Sequence, residues 1–273
     1  MSEQTIRAGD VTLAASDAGE GFPVVLLHGL SASRRYVVMG SRALQRAGHR
    51  VVTYNARGHG ASSPAPTPEA YGYEELTADL AAMLDALGIE RAVLAGASMG
   101  AHTILRLALE QPERVAALAV ITPGYDPVEF DDPQRLARWD ALSDALRSGG
   151  ADAFVEAFGL QRLPAAWRDT VATVMRQRLS LHEHPEAVAD ALRATPRSRP
   201  FADLHALEEI ECPAVVVGSR DEADPGHPLA LAEAYAELLP DAHLVVEEEG
   251  SSPLAWQGGR LSKVIAELAA RAT

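Results

Sequence analysis

The sequence predicts an α/β fold in which a mostly parallel sheet is covered by helices on both faces. Short apolar runs rich in β-branched residues, such as PVVLLHG at 23–29 and VAALAVITPG at 115–124, alternate with longer segments rich in Ala, Leu, Glu and Arg. Apolar runs without polar alternation are typical of strands buried on both faces, as in parallel sheets. Their alternation with helical segments favours a doubly wound arrangement.

In the first part of the chain, predicted strands and helices alternate. VTLAASD at 11–17 predicts an antiparallel strand, and it is followed by the strand PVVLLHG, the helical RALQRAG and the strand RVVTY, which runs into the glycine-rich loop NARGHG. Residues 73–89 predict a packing helix because apolar residues recur there at the spacing of one buried stripe. These residues are Leu76, Leu80, Met83, Leu84 and Leu87.

The texture changes between Tyr125 and Leu207, where strand-like runs disappear and helical segments follow one another. We therefore predict a core domain made of residues 1–124 and 208–273, with a helical cap inserted at 125–207. Trp139 and Trp167 lie in this insertion and fit either its core or a pocket wall. The strand–helix alternation resumes at CPAVVVGSRDEADP and continues to a last helix near the end of the chain.

Composition restricts the partners. Lys and Arg total 24 against 38 Asp and Glu, a net charge of −14 that repels nucleic acid and anionic lipid. A neutral small molecule is the expected partner. Cys212 is the single cysteine, so no internal disulfide is expected. The N-terminus lacks the charged and apolar regions of a signal peptide and no run is long enough to span a membrane, so we expect a cytoplasmic protein.

The sharpest local motif is GASMG, Gly96 to Gly100, between a predicted buried strand and a predicted helix. A serine on such a tight strand-to-helix turn needs small residues two positions away on either side, so that its hydroxyl projects above the sheet. The helix N-terminus adds amides where negative charge would develop. Ser98 is therefore the predicted nucleophile.

A second motif, LLHGLSAS, follows the strand at 23–29. A chain reversal at His28 and Gly29 would direct the amide of Leu30 toward the same space as the amide of Met99. Two such donors form an oxyanion hole. His28 lies directly at the strand end, so a role in bracing this loop is favoured over a role as general base.

These motifs resemble those of the α/β-hydrolase fold superfamily, in its esterase, lactonase and cofactor-free haloperoxidase-like branch with a helical cap. The resemblance covers nearly the whole chain and implies a nucleophile, an acid and a base in that order, each on a loop after a core strand. Ser98 matches the nucleophile. VVVGSRDEADP matches the strand and acid loop, with Asp221 as the implied acid and Asp224 as the alternative.

The chain departs from this family pattern at the base. The segment after the last strand reads Gly250-Ser251-Ser252-Pro253, and Ser251 stands where the family carries histidine. A serine hydroxyl cannot take up a proton near neutral pH. Whether another histidine replaces it stays open, with His227 following the acid loop. The remaining candidates are His49, His59, His102, His182, His184, His205 and His243.

The glycine-rich loop gives a second departure, because Asn55 stands where relatives commonly carry aspartate. The sequence thus predicts a serine-hydrolase scaffold for a small carboxylic ester or lactone, with slow or undetectable turnover because its base is missing, in an engineered or a natural variant. A non-catalytic binding protein and an enzyme redirected to acyl transfer or carbonyl addition are the alternatives. No nucleotide, metal or flavin motif is present, so no cofactor is expected.

Overall fold

A single twisted sheet organises the protein. The computed structural model describes residues 2–222, 224–251, 256 and 258–272. Within these residues, eight strands form one sheet in the order β1-β2-β4-β3-β5-β6-β7-β8. Strands β3 to β8 are parallel, whereas β1 and β2 run antiparallel at one edge. The strands are β1 (Ser2–Ala8), β2 (Val11–Ala18), β3 (Pro23–Leu27), β4 (Arg50–Tyr54), β5 (Ala92–Ala97), β6 (Val115–Ile121), β7 (Ala214–Gly218) and β8 (Ala242–Val246).

Helices cover both faces of this sheet. One apolar cluster joins the sheet to α2, α3 and α7, and a second joins the other face to α1 and α8. The predicted doubly wound α/β fold is therefore confirmed. None of the described helices is both long and apolar enough to cross a membrane. The helices are α1 (Ala43–Arg46), α2 (Tyr73–Ala86), α3 (Met99–Glu110), α4 (Pro133–Phe158), α5 (Ala165–Leu179), α6 (Pro185–Ala194), α7 (Leu229–Leu238) and α8 (Gly259–Ala272).

Strand β1 is the element that the sequence analysis did not predict. Its seven residues are mostly exposed, and Ile6 and Ala8 are its buried side chains. An edge strand with so few buried side chains gives a weak hydrophobic pattern, so the sequence does not predict it. The predicted stripe of α2 is confirmed, because four of its five apolar residues are buried and the fifth, Leu87, packs against them.

The helices α4 to α6 lie between β6 and β7 in the chain, and we call residues 125–207 the helical insertion. They enclose an apolar cluster of their own, against which Leu30 of the core also packs. His182 of the insertion accepts a hydrogen bond from the amide of Gly60 and donates one to the carbonyl of Ser31. The insertion therefore rests on loops that follow β3 and β4. Its predicted limits at 125 and 207 stay a prediction.

A buried ion pair fixes the loop after β4. The guanidinium of Arg57 donates two hydrogen bonds of 2.8 Å to the carboxylate of Asp79 on α2, and a third to the carbonyl of Ala70. Asn55 accepts a hydrogen bond from the amide of Arg34 and packs against Gly60, where a Cβ would lie 2.1 Å from its side chain. The neutral residue at position 55 thus belongs to the framework of this loop.

We expect Asp79→Ala to lower the free energy of unfolding by about 3 to 5 kcal/mol, because it leaves the buried charge of Arg57 without its partner. Equilibrium unfolding in urea measures this difference. The control is Asp241→Ala, which removes an exposed ion pair with Arg271 and should change stability by about 1 kcal/mol or less. Equal effects of the two substitutions would contradict the role given to the Arg57–Asp79 pair.

Candidate active site

Ser98 occupies a sharp turn between β5 and α3, with φ 49° and ψ −110°. The two flanking glycines are required by space, because a Cβ on Gly96 would lie 2.2 Å from the carbonyl oxygen of Gly100. A Cβ on Gly100 would lie 2.6 Å from the carbonyl oxygen of Leu27. The strained backbone of a non-glycine residue at positive φ, held by such close packing, is a feature of functional sites.

The turn after β3 lies directly against Ser98. A Cβ on Gly29 would approach the carbonyl oxygen of Ala97 to 3.2 Å and the Cβ of Ser98 to 3.4 Å. His28 fixes this turn, because its Nδ1 bonds to the carbonyl of Gly29 and its Nε2 accepts from the amide of Ala56. His28 therefore braces the loop, as predicted. Leu30 follows Gly29 directly, so its backbone begins beside Ser98.

A histidine from the loop after β7 meets Ser98. Nε2 of His227 lies 2.9 Å from Oγ of Ser98, and Nδ1 lies 2.8 Å from Oδ2 of Asp224. A carboxylate only accepts hydrogen bonds, so Nδ1 carries the proton and Nε2 of the neutral ring is the acceptor. Ser98, His227 and Asp224 thus form a continuous hydrogen-bond chain in which the hydroxyl donates to a basic nitrogen.

Asp224 and His227 share one four-residue turn, Asp224-Pro225-Gly226-His227. The amide of His227 donates to the carbonyl of Asp224 at 3.1 Å, which closes the turn. Proline and glycine are common inside such turns. Opposite the turn stands Gly124, where a Cβ would lie 2.8 Å from Cδ2 of His227. The imidazole therefore occupies space that a side chain at 124 would fill.

Asp224 and His227 shift each other's pKa in opposite directions. Burial alone would raise the pKa of Asp224, but the charge and hydrogen bond of His227 outweigh burial and hold that pKa below its ordinary value. Burial alone would likewise lower the pKa of His227, but Asp224 raises it above 6.5. Asp224 is therefore ionised near neutral pH, and His227 is more basic than a free imidazole.

This geometry departs from the sequence prediction at two of its three positions. Asp221, the predicted acid, is exposed and its carboxylate accepts from the amide of Leu229 at the start of α7. Ser251, at the predicted base position, donates its amide to the carbonyl of Glu248. The side chains beside Ser98 are instead those of Asp224, the alternative acid, and His227. Residues 252 and 253 of the family-like segment lie outside the described residues.

The loop after β8, where a histidine was expected, instead supports the site through Glu247. The buried carboxylate of Glu247 accepts from the amide of Arg220 at 2.7 Å and from the indole of Trp256 at 3.0 Å. The carbonyl of Arg220 in turn accepts from the amide of Asp224 at 3.0 Å. Glu247 therefore anchors the loop that carries the Asp224–His227 pair.

His102 is a buried histidine that supports the site without facing the nucleophile's hydroxyl. Its Nε2 accepts from the amides of Gly124 and Tyr125, and Nδ1 bonds to the hydroxyl of Tyr73. Burial lowers its pKa to about 3, so it stays neutral. His102 thus fixes the segment that faces His227, and it is not the base that the sequence analysis left open.

The sequence did contain a signal for the true partner of Ser98. Asp-Pro-Gly-His reads as a tight turn, and a tight turn brings the side chains of its first and last residues together. The family pattern directed attention to position 251 and left His227 among several open candidates. The spacing of three residues between Asp224 and His227 across this turn is the feature of the sequence that identifies the pair.

Known proteins show clear similarity to this chain. A family model described as the alpha/beta hydrolase fold matches residues 23–251. A protein of Pseudomonas savastanoi pv. phaseolicola with the provisional name carbamate hydrolase RutD is 30% identical over 228 residues, covering 83% of this chain and 85% of the relative. A 2-hydroxy-6-oxononadienedioate/2-hydroxy-6-oxononatrienedioate hydrolase of Pseudomonas putida is 31% identical over 226 residues, covering 80% and 78%.

Solved structures show the same fold. A thermophilic esterase from Thermogutta terrifontis, determined with malate bound, superposes with a TM-score of 0.82 at 26% identity. The superposition covers 100% of this chain and 99% of the esterase.

We expect Gly124→Ala to slow the reaction of Ser98 with a fluorophosphonate by roughly 10- to 100-fold, because the new methyl group displaces the imidazole that activates the hydroxyl. Mass spectrometry of the labelled protein over time measures this rate. The control is Gly259→Ala at the start of α8, where a Cβ would lie in open space among the described residues, and this variant should react like the parent. Equal labelling of parent and Gly124→Ala would contradict the packing of His227 against position 124.

Proposed function

Because the chain belongs to the α/β hydrolase fold family, we propose that it is a serine hydrolase in which Ser98 is the nucleophile, His227 the general base and Asp224 the acid that orients the base. Its relatives are named as hydrolases of small molecules. The observation that carries the assignment is the hydrogen-bond chain from Oγ of Ser98 through His227 to Asp224, at 2.9 Å and 2.8 Å.

The reaction follows from that chain. Oγ of Ser98 attacks the acyl carbon while Nε2 of His227 takes the hydroxyl proton, and the carboxylate of Asp224 stabilises the imidazolium that forms. The imidazolium then protonates the leaving group, which departs and leaves an acyl-serine. Water, activated in the same way by His227, hydrolyses the acyl-serine and restores the free hydroxyl.

The negative charge of the tetrahedral intermediate needs donors beside Ser98. We assign them to the amides of Leu30 and Met99. The close approach of Gly29 to Ser98 supports the first, and the position of Met99 as first residue of α3 supports the second, because the leading amides of a helix have no partner within it.

This proposal revises the expected level of activity. Slow turnover was expected on the ground that no base follows β8, and a base on the loop after β7 removes that ground. A complete hydrogen-bond chain also makes a purely ligand-binding role the weaker interpretation. The bond cleaved belongs to a small acyl compound: a carboxylic ester or lactone is our proposal, and the carbamate name of one relative adds a related acyl group.

The decisive experiment compares the two histidine positions on p-nitrophenyl acetate. We expect His227→Ala and Ser98→Ala each to lower kcat by about four to six powers of ten. Ser251→His and Ser251→Ala should stay within a few-fold of the parent, since the base is already present. A large gain from Ser251→His, together with little loss from His227→Ala, would reject this assignment and restore the base to position 251.

The pH dependence tests the acid. The base acts only when neutral, so kcat/KM should fall as the pH decreases through the pKa of His227, which Asp224 raises above 6.5. Asp224→Asn removes the raising charge and should move this acid limb to lower pH, while lowering kcat by about four powers of ten. Asp221→Asn is the control and should leave both the limb and kcat near parent values. A shifted limb in the Asp221 variant alone would identify Asp221 as the acid instead.

A further inference from the structure

Arg178 is a cation of the helical insertion that lies in the last turn of α5. Its Nε is buried and has no hydrogen-bond partner among the described residues. Within the described part of the chain its side chain forms no ion pair, and its guanidinium carbon lies 5.0 Å from the centre of the Tyr36 ring. Tyr36 follows the turn that carries Leu30, so Arg178 reaches from the insertion to the loop beside the nucleophile.

The helix end that carries Arg178 lies against the loop beside Ser98, because His182, four residues after Arg178, donates from Nε2 to the carbonyl of Ser31. The pKa values of Asp224 and His227 depend mainly on burial and on the interaction between these two residues. The positive charge of Arg178 has a smaller effect and lowers the pKa of each. The ion pair that Asp224 forms is with His227, at 2.8 Å, and no ion pair joins Asp224 to Arg178 among the described residues. The guanidinium thus lies between α5 and the segment at Tyr36, near enough to the Asp224–His227 turn for its charge to act on both groups.

The side chain of Arg178 is partly exposed but its Nε is buried, and a buried donor without a hydrogen-bond partner is unfavourable unless an anion or another acceptor satisfies it. Burial indeed lowers the pKa of Arg178. The other arginine of this turn provides a contrast. Arg176 is half exposed and pairs with Asp152 on α4. The chain as a whole carries a charge of −14, which repels anions at a distance, so a local cation is needed if the site is to accept one.

We propose that Arg178 binds a carboxylate on the substrate, so that this hydrolase prefers acyl compounds that carry a second, free carboxylate, such as monoesters of dicarboxylic acids. The inference rests on the proposed function, and it replaces the neutral partner expected from composition. The planar guanidinium offers paired N–H donors that match the two oxygens of a carboxylate. The carboxylate would then hold the ester carbonyl at Ser98 while the insertion covers it.

The test uses pairs of methyl esters matched in chain length, one neutral and one with a terminal carboxylate, from methyl butanoate and monomethyl succinate up to methyl octanoate and monomethyl suberate. Methanol release gives kcat/KM for each. In the parent we expect the charged member of at least one pair to be preferred by about 10- to 100-fold, the range of one charge-assisted hydrogen bond. Arg178→Met should lower kcat/KM for the charged member far more than for the neutral one and so abolish this preference, as expected for loss of a contact to the carboxylate.

Arg176→Met, the matched control from the same helical turn, should behave like the parent on both members of each pair. The proposal is overturned if the parent cleaves neutral esters and shows no preference for any charged partner. It is equally overturned if Arg178→Met slows both members alike, because Arg178 would then act through Asp224 and His227 rather than on the substrate.

Binding without turnover separates this inference from the proposed function. Calorimetry with monomethyl adipate should detect binding to Ser98→Ala and at least tenfold weaker binding to the double variant Ser98→Ala/Arg178→Met. If the parent cleaves no ester and Ser98 resists fluorophosphonate, the hydrolase proposal fails, while this binding difference still decides the anion site. Equal affinity of the two variants would reject the role of Arg178.

Discussion

The hydrogen bond between Asp224 and His227 closes inside a single tight turn, and the arrangement of the site depends on it. Because the two residues are three positions apart, their relative placement is set by local backbone geometry rather than by the packing of two separate loops. The rest of the protein has only to bring this turn to Ser98. Glu247 does so from one side through the amide of Arg220, and the absence of a side chain at Gly124 leaves room on the other.

The fold was predictable because its signals are redundant. Buried strands, the glycine-flanked serine and the periodic α2 each point to the same architecture, so the loss of one signal, such as the polar edge strand β1, left the prediction intact. Ser98 was predictable for a related reason: the turn that exposes it tolerates no side chain at Gly96 or Gly100, and that requirement is visible as two letters in the sequence.

The partners of Ser98 were harder to predict because they depend on distance in space. Asp221 and Asp224 are three positions apart on one loop, and the sequence does not indicate which of the two carboxylates points toward Ser98. The prediction at Ser251 relied on the order of residues in a family pattern, whereas chemistry requires only that a basic nitrogen reach the hydroxyl. Arg178 carried no signal at all, since an arginine near a helix C-terminus ordinarily interacts with the helix dipole at the surface.

The placement of His227 determines which part of the chain carries the groups that we assign to the reaction. During synthesis from the N-terminus, every group that we assign to the reacting atoms is already present before α7 begins. Helix α8, which comes last, supplies apolar surface to one face of the sheet, and side chains of β8 pack on both faces. Glu247, directly after β8, supplies a carboxylate that holds a neighbouring loop. None of the described residues in this last part of the chain belongs to the groups that we assign to the reaction, so substitutions there should act on the site through folding and through the loop that Glu247 anchors.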